Sequence, residues 1–175
     1  MAITGEISRG VTDQVTVTLY ITGEKSDTAV LYLTDVFGIQ LLENKLLADS
    51  FGRAGFLTVA PDLFDGEPAP LDLNDPNFDQ EQFLEDHRPE ITDPKISTAI
   101  EYLRTEAGVS KVAVTGYCFG GRYSFRFLAE GKGADVGFAA HPSLLEDEEI
   151  AAITGPASIA AAGKIPQTLP YSTPD

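Results

Sequence analysis

The run Gly116-Tyr117-Cys118-Phe119-Gly120-Gly121 constrains this chain more than any other feature. It follows the apolar run Lys111-Val112-Ala113-Val114-Thr115 and precedes a helix-like run from Arg122 to Glu130. A strand, a sharp turn with a nucleophile at its tip and a helix together make a nucleophile elbow. The glycines two before and two after the tip have a steric reason. The turn is so tight that side chains there would strike the neighbouring strand and helix, while the tip residue itself is held in strained backbone geometry. The tip is Cys118, the single cysteine of the 175 residues, where serine is the more usual nucleophile.

Length and composition narrow the setting. One domain is expected from 175 residues, with a substantial core. Twelve basic against 27 acidic residues give a net charge of -15. That field repels phosphate backbones and anionic membranes, so neither nucleic acid nor a membrane is the expected partner. No apolar run approaches the roughly 18 residues of a membrane span. Met1 to Glu6 lacks the charged and apolar regions of a signal peptide. A single cysteine suits a reducing compartment, and the cytoplasm is the expected location.

Strand and helix patterns alternate along the chain. Strands are read at 15–20, 29–33, 56–60, 111–115, 136–140 and 157–161. Residues 40–54 read as a helix with Leu42, Leu46, Leu47 and Phe51 inward, stopped by Gly55. Residues 62–92 read as a long acidic surface loop with one short helix near 80–86, in which His87 is solvated. Asp93 then reads as an N-cap with Pro94 at the first helical position, and Gly108 as the stop. A short acidic helix is expected within 144–152. This alternation means an α/β class with a mainly parallel sheet. Catalytic groups of such sheets lie at the carboxyl ends of the strands, where Asp35, Pro61, Cys118 and His141 all fall. The elbow has neither the Gly-x-Gly-x-x-Gly spacing nor Gly-Lys-Ser/Thr, so no nucleotide cofactor is expected. The aspartates at 62, 65, 72, 75 and 79 follow no calcium-loop pattern, and no metal is expected.

Four segments, Asp35-Val36-Phe37-Gly38, Ala60-Pro61-Asp62-Leu63-Phe64, the elbow, and Gly137-Phe138-Ala139-Ala140-His141-Pro142-Ser143, match in order and spacing those of a known family. Over roughly residues 10 to 162 the chain resembles the dienelactone hydrolases of the α/β-hydrolase superfamily, in particular their fungal cytosolic members. The resemblance implies an α/β-hydrolase fold in its first seven strand positions. It also implies hydrolysis of a small ester or enol-lactone through an acyl-cysteine, without cofactor or metal. Cys118 matches the nucleophile, and Asp35 the acid that holds or takes the thiol proton. The backbone N–H groups of Val36 and Phe119 match the oxyanion hole. The helix N-terminus after Cys118 favours a thiolate, and each oxyanion donor is commonly worth about 3 kcal/mol.

The family pattern also requires an acid after the seventh strand and a histidine after the eighth. Here the pattern holds through Gly155 to Ala162 and then gives way to Gly163-Lys164-Ile165-Pro166. The domain is therefore read as 1–162, incomplete at the C-terminal edge of the sheet, with 163–175 a divergent tail expected to be disordered. Three functional readings follow. The first is an ester or lactone hydrolase with a cysteine nucleophile. The second is a non-catalytic, truncated form that binds a partner or has no role. The third, a thiol redox sensor, rests on Cys118 alone and has no resolving cysteine beside it. His141 is read as hydrogen-bonding locally beside Pro142, with service as a substitute base the alternative. Arg88 and Arg122 are candidate partners for a substrate carboxylate.

Overall fold

Ala29 to Leu33 and Leu57 to Pro61 are buried at every residue. Strands of that kind need cover on both faces, and the fold supplies it. The computed structural model describes residues 4–13 and 15–161. In chain order its elements are β1 (Glu6–Val11), β2 (Thr16–Thr22), β3 (Thr28–Leu33), α1 (Leu42–Arg53), β4 (Leu57–Pro61), α2 (Gln80–Asp86), α3 (Pro89–Thr105), β5 (Lys111–Tyr117), α4 (Phe119–Arg126), β6 (Val136–Ala140), α5 (Asp147–Ala151) and β7 (Ala157–Ala160). The strands form one seven-stranded sheet in the order β1-β2-β4-β3-β5-β6-β7. β1 and β2 are antiparallel to each other, and β2 is antiparallel to β4; all later pairings are parallel.

One face carries α1 over Tyr20, Val30, Tyr32 and Ala60. The other carries α3 and α4 over the larger cluster of Leu19, Leu31, Leu33, Val59, Val112 and Val114, with Ile96, Leu103, Phe119 and Tyr123 from the helices. β3 and β5 lie at the centre, so the elbow after β5 emerges from the best-supported part of the sheet.

Three local readings are corrected. β1 has no apolar alternation to announce it, with Ile7 and Val11 both exposed. Backbone pairing with β2, the Thr4 N–H on Asp49 (2.8 Å) and the Gly5 N–H on the Tyr20 hydroxyl (2.9 Å) hold that end of the chain. Of the expected inward face of α1, Leu47 and Phe51 do pack against the sheet, but Leu42 is exposed and the buried positions are Asn44, Ala48 and Asp49. The sheet offers polar partners there: Tyr20 Oη donates to Asp49 (2.9 Å) and Tyr32 Oη to Asn44 (2.7 Å). Finally, α3 begins at Pro89, and Pro94 lies inside it. Pro89 at the first position is pre-set for a helix, and Pro94 in the second turn forfeits one backbone bond. Asp93 serves instead as an ion-pair acceptor for Arg126 (2.8 Å) and Lys132 (3.1 Å). The expected disorder of 163–175 lies outside the described residues.

Candidate active site

Glycine spacing sets the elbow. A Cβ on Gly116 would stand closer than 3.0 Å to the Gly120 carbonyl, and one on Gly120 equally close to the carbonyls of Leu33 and Thr34. Because neither position carries a Cβ, α4 packs directly on β3 and β5. The Gly120 N–H then donates to Thr34 O at 3.0 Å, joining the elbow to the turn that begins at Asp35. Cys118 takes up the remaining strain, with φ 51° and ψ -112°. Such a conformation costs a non-glycine residue about 1–3 kcal/mol and persists only where its surroundings fix it. Those surroundings are backbone bonds: Cys118 N–H to Ala140 O (3.0 Å), and Gly121 and Ser143 N–H to Cys118 O (3.0 and 3.1 Å). The cysteine caps an eight-residue helix and is half-buried.

The sheet register brings the expected residues to one edge. Leu33 pairs with Gly116, and Tyr117 with Ala140, so Asp35, Cys118 and His141 follow the ends of three adjacent strands. Their side chains differ in what they touch. Asp35 Oδ1 accepts from the Phe37 N–H (3.0 Å) and from Asn44 Nδ2 (3.0 Å). Cys118 Sγ has a long contact with Ser143 Oγ, at 3.8 Å. Among the described residues neither Asp35 nor an imidazole hydrogen-bonds the thiol. His141 is exposed, at φ 38°, with its backbone N–H on Ala160 O (2.7 Å). Among the described residues the N–H groups of Val36 and Phe119 have no acceptor; the Val36 carbonyl holds Ala69 N–H at 2.9 Å.

Beside the elbow is a cleft of about 700 Å³ lined by α2, the start of α3, Phe119, Arg122, Tyr123 and Leu144. Cys118 is not part of this lining; its neighbour Phe119 is. The cleft is lined by charged residues, among them Glu81, Glu85, Arg88 and Arg122, together with the rings of His87, Phe119 and Tyr123. Beneath that lining Phe119 packs on Phe64 (5.2 Å) and Tyr123 (5.0 Å), and Phe64 on Phe83 (5.4 Å) and His87 (5.0 Å). His87 is therefore not a solvated loop residue. Its Nδ1 lies 2.7 Å from Phe83 O, and its carbonyl accepts from Thr92 Oγ1 (2.8 Å) and Tyr123 Oη (3.1 Å). Burial pushes the Tyr123 phenol up to about 12, so it stays a donor at neutral pH. The acidic segment is also less loop-like than its composition. Asp62, Leu63, Phe64 and Ala69 are buried, and Lys95 Nζ ties Leu63 O (2.8 Å) to Asp65 (2.7 Å). Asp72, Asp75 and Asp79 accept from nearby backbone N–H groups, which accounts for three of the aspartates without an ion.

The two arginines of the cleft are already neutralised. Arg122 Nε forks onto both oxygens of Glu149 (2.9 and 3.0 Å), and its Nη2 reaches Glu146 (2.9 Å). Arg88 pairs with Glu85 (3.1 Å) and Glu90 (3.5 Å) at the surface. Glu149 also holds Arg126, which in turn reaches Asp93. Burial by itself would raise the Glu149 carboxyl, but the hydrogen bonds from Arg122 and the backbone outweigh it. Its pKa falls below the ordinary 4.5. The folded protein thus binds this proton less readily than the unfolded chain. The resulting stability is present in full above that ordinary value and is lost as pH falls through the lowered one. Glu149→Gln is expected to cost about 3 kcal/mol at neutral pH, because it leaves two arginines short of their buried partner. The gap in thermal midpoint from wild type should close as acidification protonates the wild-type carboxylate. A gap that does not narrow anywhere along the acid limb of the wild-type stability profile would assign the loss to packing instead.

Sequence reasoning missed Ser143 and Asn44. Ser143 stands in the quoted Ala-His-Pro-Ser segment, so its signal was present, masked by the histidine two residues before it. Asn44 had no signal, because an asparagine in a helix reads as solvent-facing until the sheet opposite is seen to offer a tyrosine.

Comparison with known proteins places this arrangement. Residues 16–165 match the profile of the dienelactone hydrolase family. Over 145 residues the chain is 41% identical to Hydrolase pyvD of Aspergillus violaceofuscus, covering 83% of this chain and 58% of that protein. Over 156 residues it is 36% identical to Hydrolase tropI of Talaromyces stipitatus, covering 84% of this chain and 60% of that protein. The chain thus spans less than two thirds of either relative. In structure it is similar to a dienelactone hydrolase from Anabaena variabilis, with a TM-score of 0.65 at 15% identity, over 89% of this chain and 72% of that one. That likeness carries the fold, a mainly parallel α/β-hydrolase sheet flanked by helices. Fold, four ordered segments and profile agree that the chain belongs to the dienelactone hydrolase family.

Proposed function

We propose that the chain carries the acylating half of an ester or enol-lactone hydrolase, with Cys118 as nucleophile. The observation that supports this most is the backbone of Cys118. A non-glycine residue at φ 51°, at the head of a helix and fixed by three backbone hydrogen bonds, is strained geometry of the kind that collects at active sites. In this reading the thiolate attacks the acyl carbon, the carbonyl π electrons move onto oxygen, and the Val36 and Phe119 N–H groups receive the oxyanion. Asp35 takes the thiol proton. Collapse of the tetrahedral species breaks the C–O bond and expels the alkoxide or enolate, which takes up the proton held by Asp35, and an acyl-cysteine remains. Because Arg122 and Arg88 are already ion-paired, neither is offered to a substrate carboxylate, and the reading favours an uncharged ester or lactone. No nucleic acid enters this reading. Among the described residues no helix is long and apolar enough to cross a membrane, and a cytoplasmic setting accords with the single thiol.

Deacylation needs a base to activate water, a contribution commonly worth 10²–10⁴-fold. Among the described residues none is bonded to Cys118 in that capacity. The 175-residue chain is accordingly expected to give a burst of p-nitrophenolate from p-nitrophenyl acetate, then stall. His141→Ala should leave the burst intact. Sustained turnover that disappears in both Cys118→Ala and His141→Ala would instead make His141 the base. The alternative function, a partner-binding form without catalysis, predicts no burst at all.

A further inference from the structure

Asp35 does not stand alone in its turn. Both hydrogen bonds it accepts fall on Oδ1, from the Phe37 N–H and Asn44 Nδ2, each at 3.0 Å. Among the described residues Oδ2 accepts none. Asn44 is itself held at three points. Its Nδ2 also donates to Gly38 O at 2.8 Å, closing the turn, and its Oδ1 accepts from Tyr32 Oη at 2.7 Å. Tyr32 is fully buried on β3, fixed edge-on to Tyr117 (5.8 Å) just before the nucleophile. The Asp35 carboxylate and the Gly38 carbonyl only accept, so they take the Asn44 NH₂ and leave its carbonyl to receive the Tyr32 proton. Burial above all, and then the negative charge of Asp35, hold that proton well above the ordinary tyrosine range. With Tyr32 donating, the Asn44 amide has one orientation, carbonyl towards tyrosine and NH₂ towards Asp35.

We propose that Asn44, oriented by Tyr32, is the positioning residue for Asp35: it occupies one carboxylate oxygen and leaves the other open to take the Cys118 thiol proton. The chain of bonds runs from a rigid central strand through a helix to the turn beside the elbow. It fixes a short carboxylate that a loop alone would leave free to rotate. This inference rests on Asp35 being the thiol partner.

The test is the rate of Cys118 alkylation by iodoacetamide, followed against pH in the full chain, with far-UV circular dichroism on every variant. Asp35→Asn removes the carboxylate and should displace the rate profile along the pH axis, with a change of about threefold or more at neutral pH. Asn44→Ala should displace it in the same direction, and the Asp35→Asn/Asn44→Ala double variant should be no further displaced than Asp35→Asn alone. Tyr32→Phe, which keeps the ring and its packing, should give part of the Asn44→Ala shift. If Asp35→Asn leaves the profile unmoved, the thiol-partner role is wrong and this inference goes with it. If Asp35→Asn moves the profile but Asn44→Ala and Tyr32→Phe do not, or the two losses simply add, Asn44 is structural only. Should Asn44→Ala fail to fold, Tyr32→Phe and its double variant with Asp35→Asn decide the matter.

Discussion

Cys118→Ala is expected to bring p-nitrophenolate release to the uncatalysed background, a loss of about 10³-fold or more relative to the acylation phase of the wild type. The size follows from what the elbow supplies. With Cys118 absent, the N–H groups of Val36 and Phe119, which have no acceptor among the described residues, remain, and in the proposed reading they can still polarise a bound ester. No atom is left to form the acyl bond, and water at the same place is a poorer, unactivated nucleophile. The fold should not suffer. Alanine can keep the backbone at φ 51° and removes one half-buried sulfur whose side-chain hydrogen bond among the described residues is the long one to Ser143. Unchanged circular dichroism and a thermal midpoint within a few degrees of wild type would assign the whole loss to chemistry. Substantial release by Cys118→Ala would place the reactive group elsewhere.

Gly120→Ala is expected to destabilise the protein strongly. The new Cβ would stand closer than 3.0 Å to two backbone carbonyls, those of Leu33 and Thr34, and neither can give way without moving β3 itself. Overpacking against backbone commonly costs about 1–3 kcal/mol, and here the Gly120 N–H to Thr34 O bond is displaced as well. A total of about 4 kcal/mol lowers the thermal midpoint of a domain this size by about 10 °C. Gly131→Ala is the control. That glycine has open space around it and only its φ of 77° to oppose a side chain, so about 1 kcal/mol is expected. Comparable midpoints for the two variants would mean that α4 does not depend on the close approach at Gly120.

Legibility in the sequence followed physical cause. β3, β4, β5 and the elbow announced themselves because burial on two faces demands unbroken apolar runs and the sharp turn demands glycine. β1 was silent, since backbone pairing with β2 holds it while Ile7 and Val11 stay exposed. Asp93 and Pro94 misled because cap-and-proline is a local signal, overridden here by Pro89 a turn and a half earlier and by the pull of Arg126 on the Asp93 carboxylate. Arg122 read as a candidate partner for a substrate carboxylate because its own partners, Glu146 and Glu149, lie more than twenty residues away and meet it only once α5 packs on α4. Separation in sequence also hid Asn44: its helix faces a sheet tyrosine twelve residues earlier.

The central claim is that Cys118 is the acylated residue. It is tested most directly by intact-protein mass spectrometry after brief exposure to p-nitrophenyl acetate, with peptide mapping of the product at acidic pH. One acetyl group per chain, carried by the peptide containing Cys118 and absent from Cys118→Ala, is the predicted result. Acetylation that persists in Cys118→Ala, or that maps to lysines and leaves Cys118 free, would contradict the account.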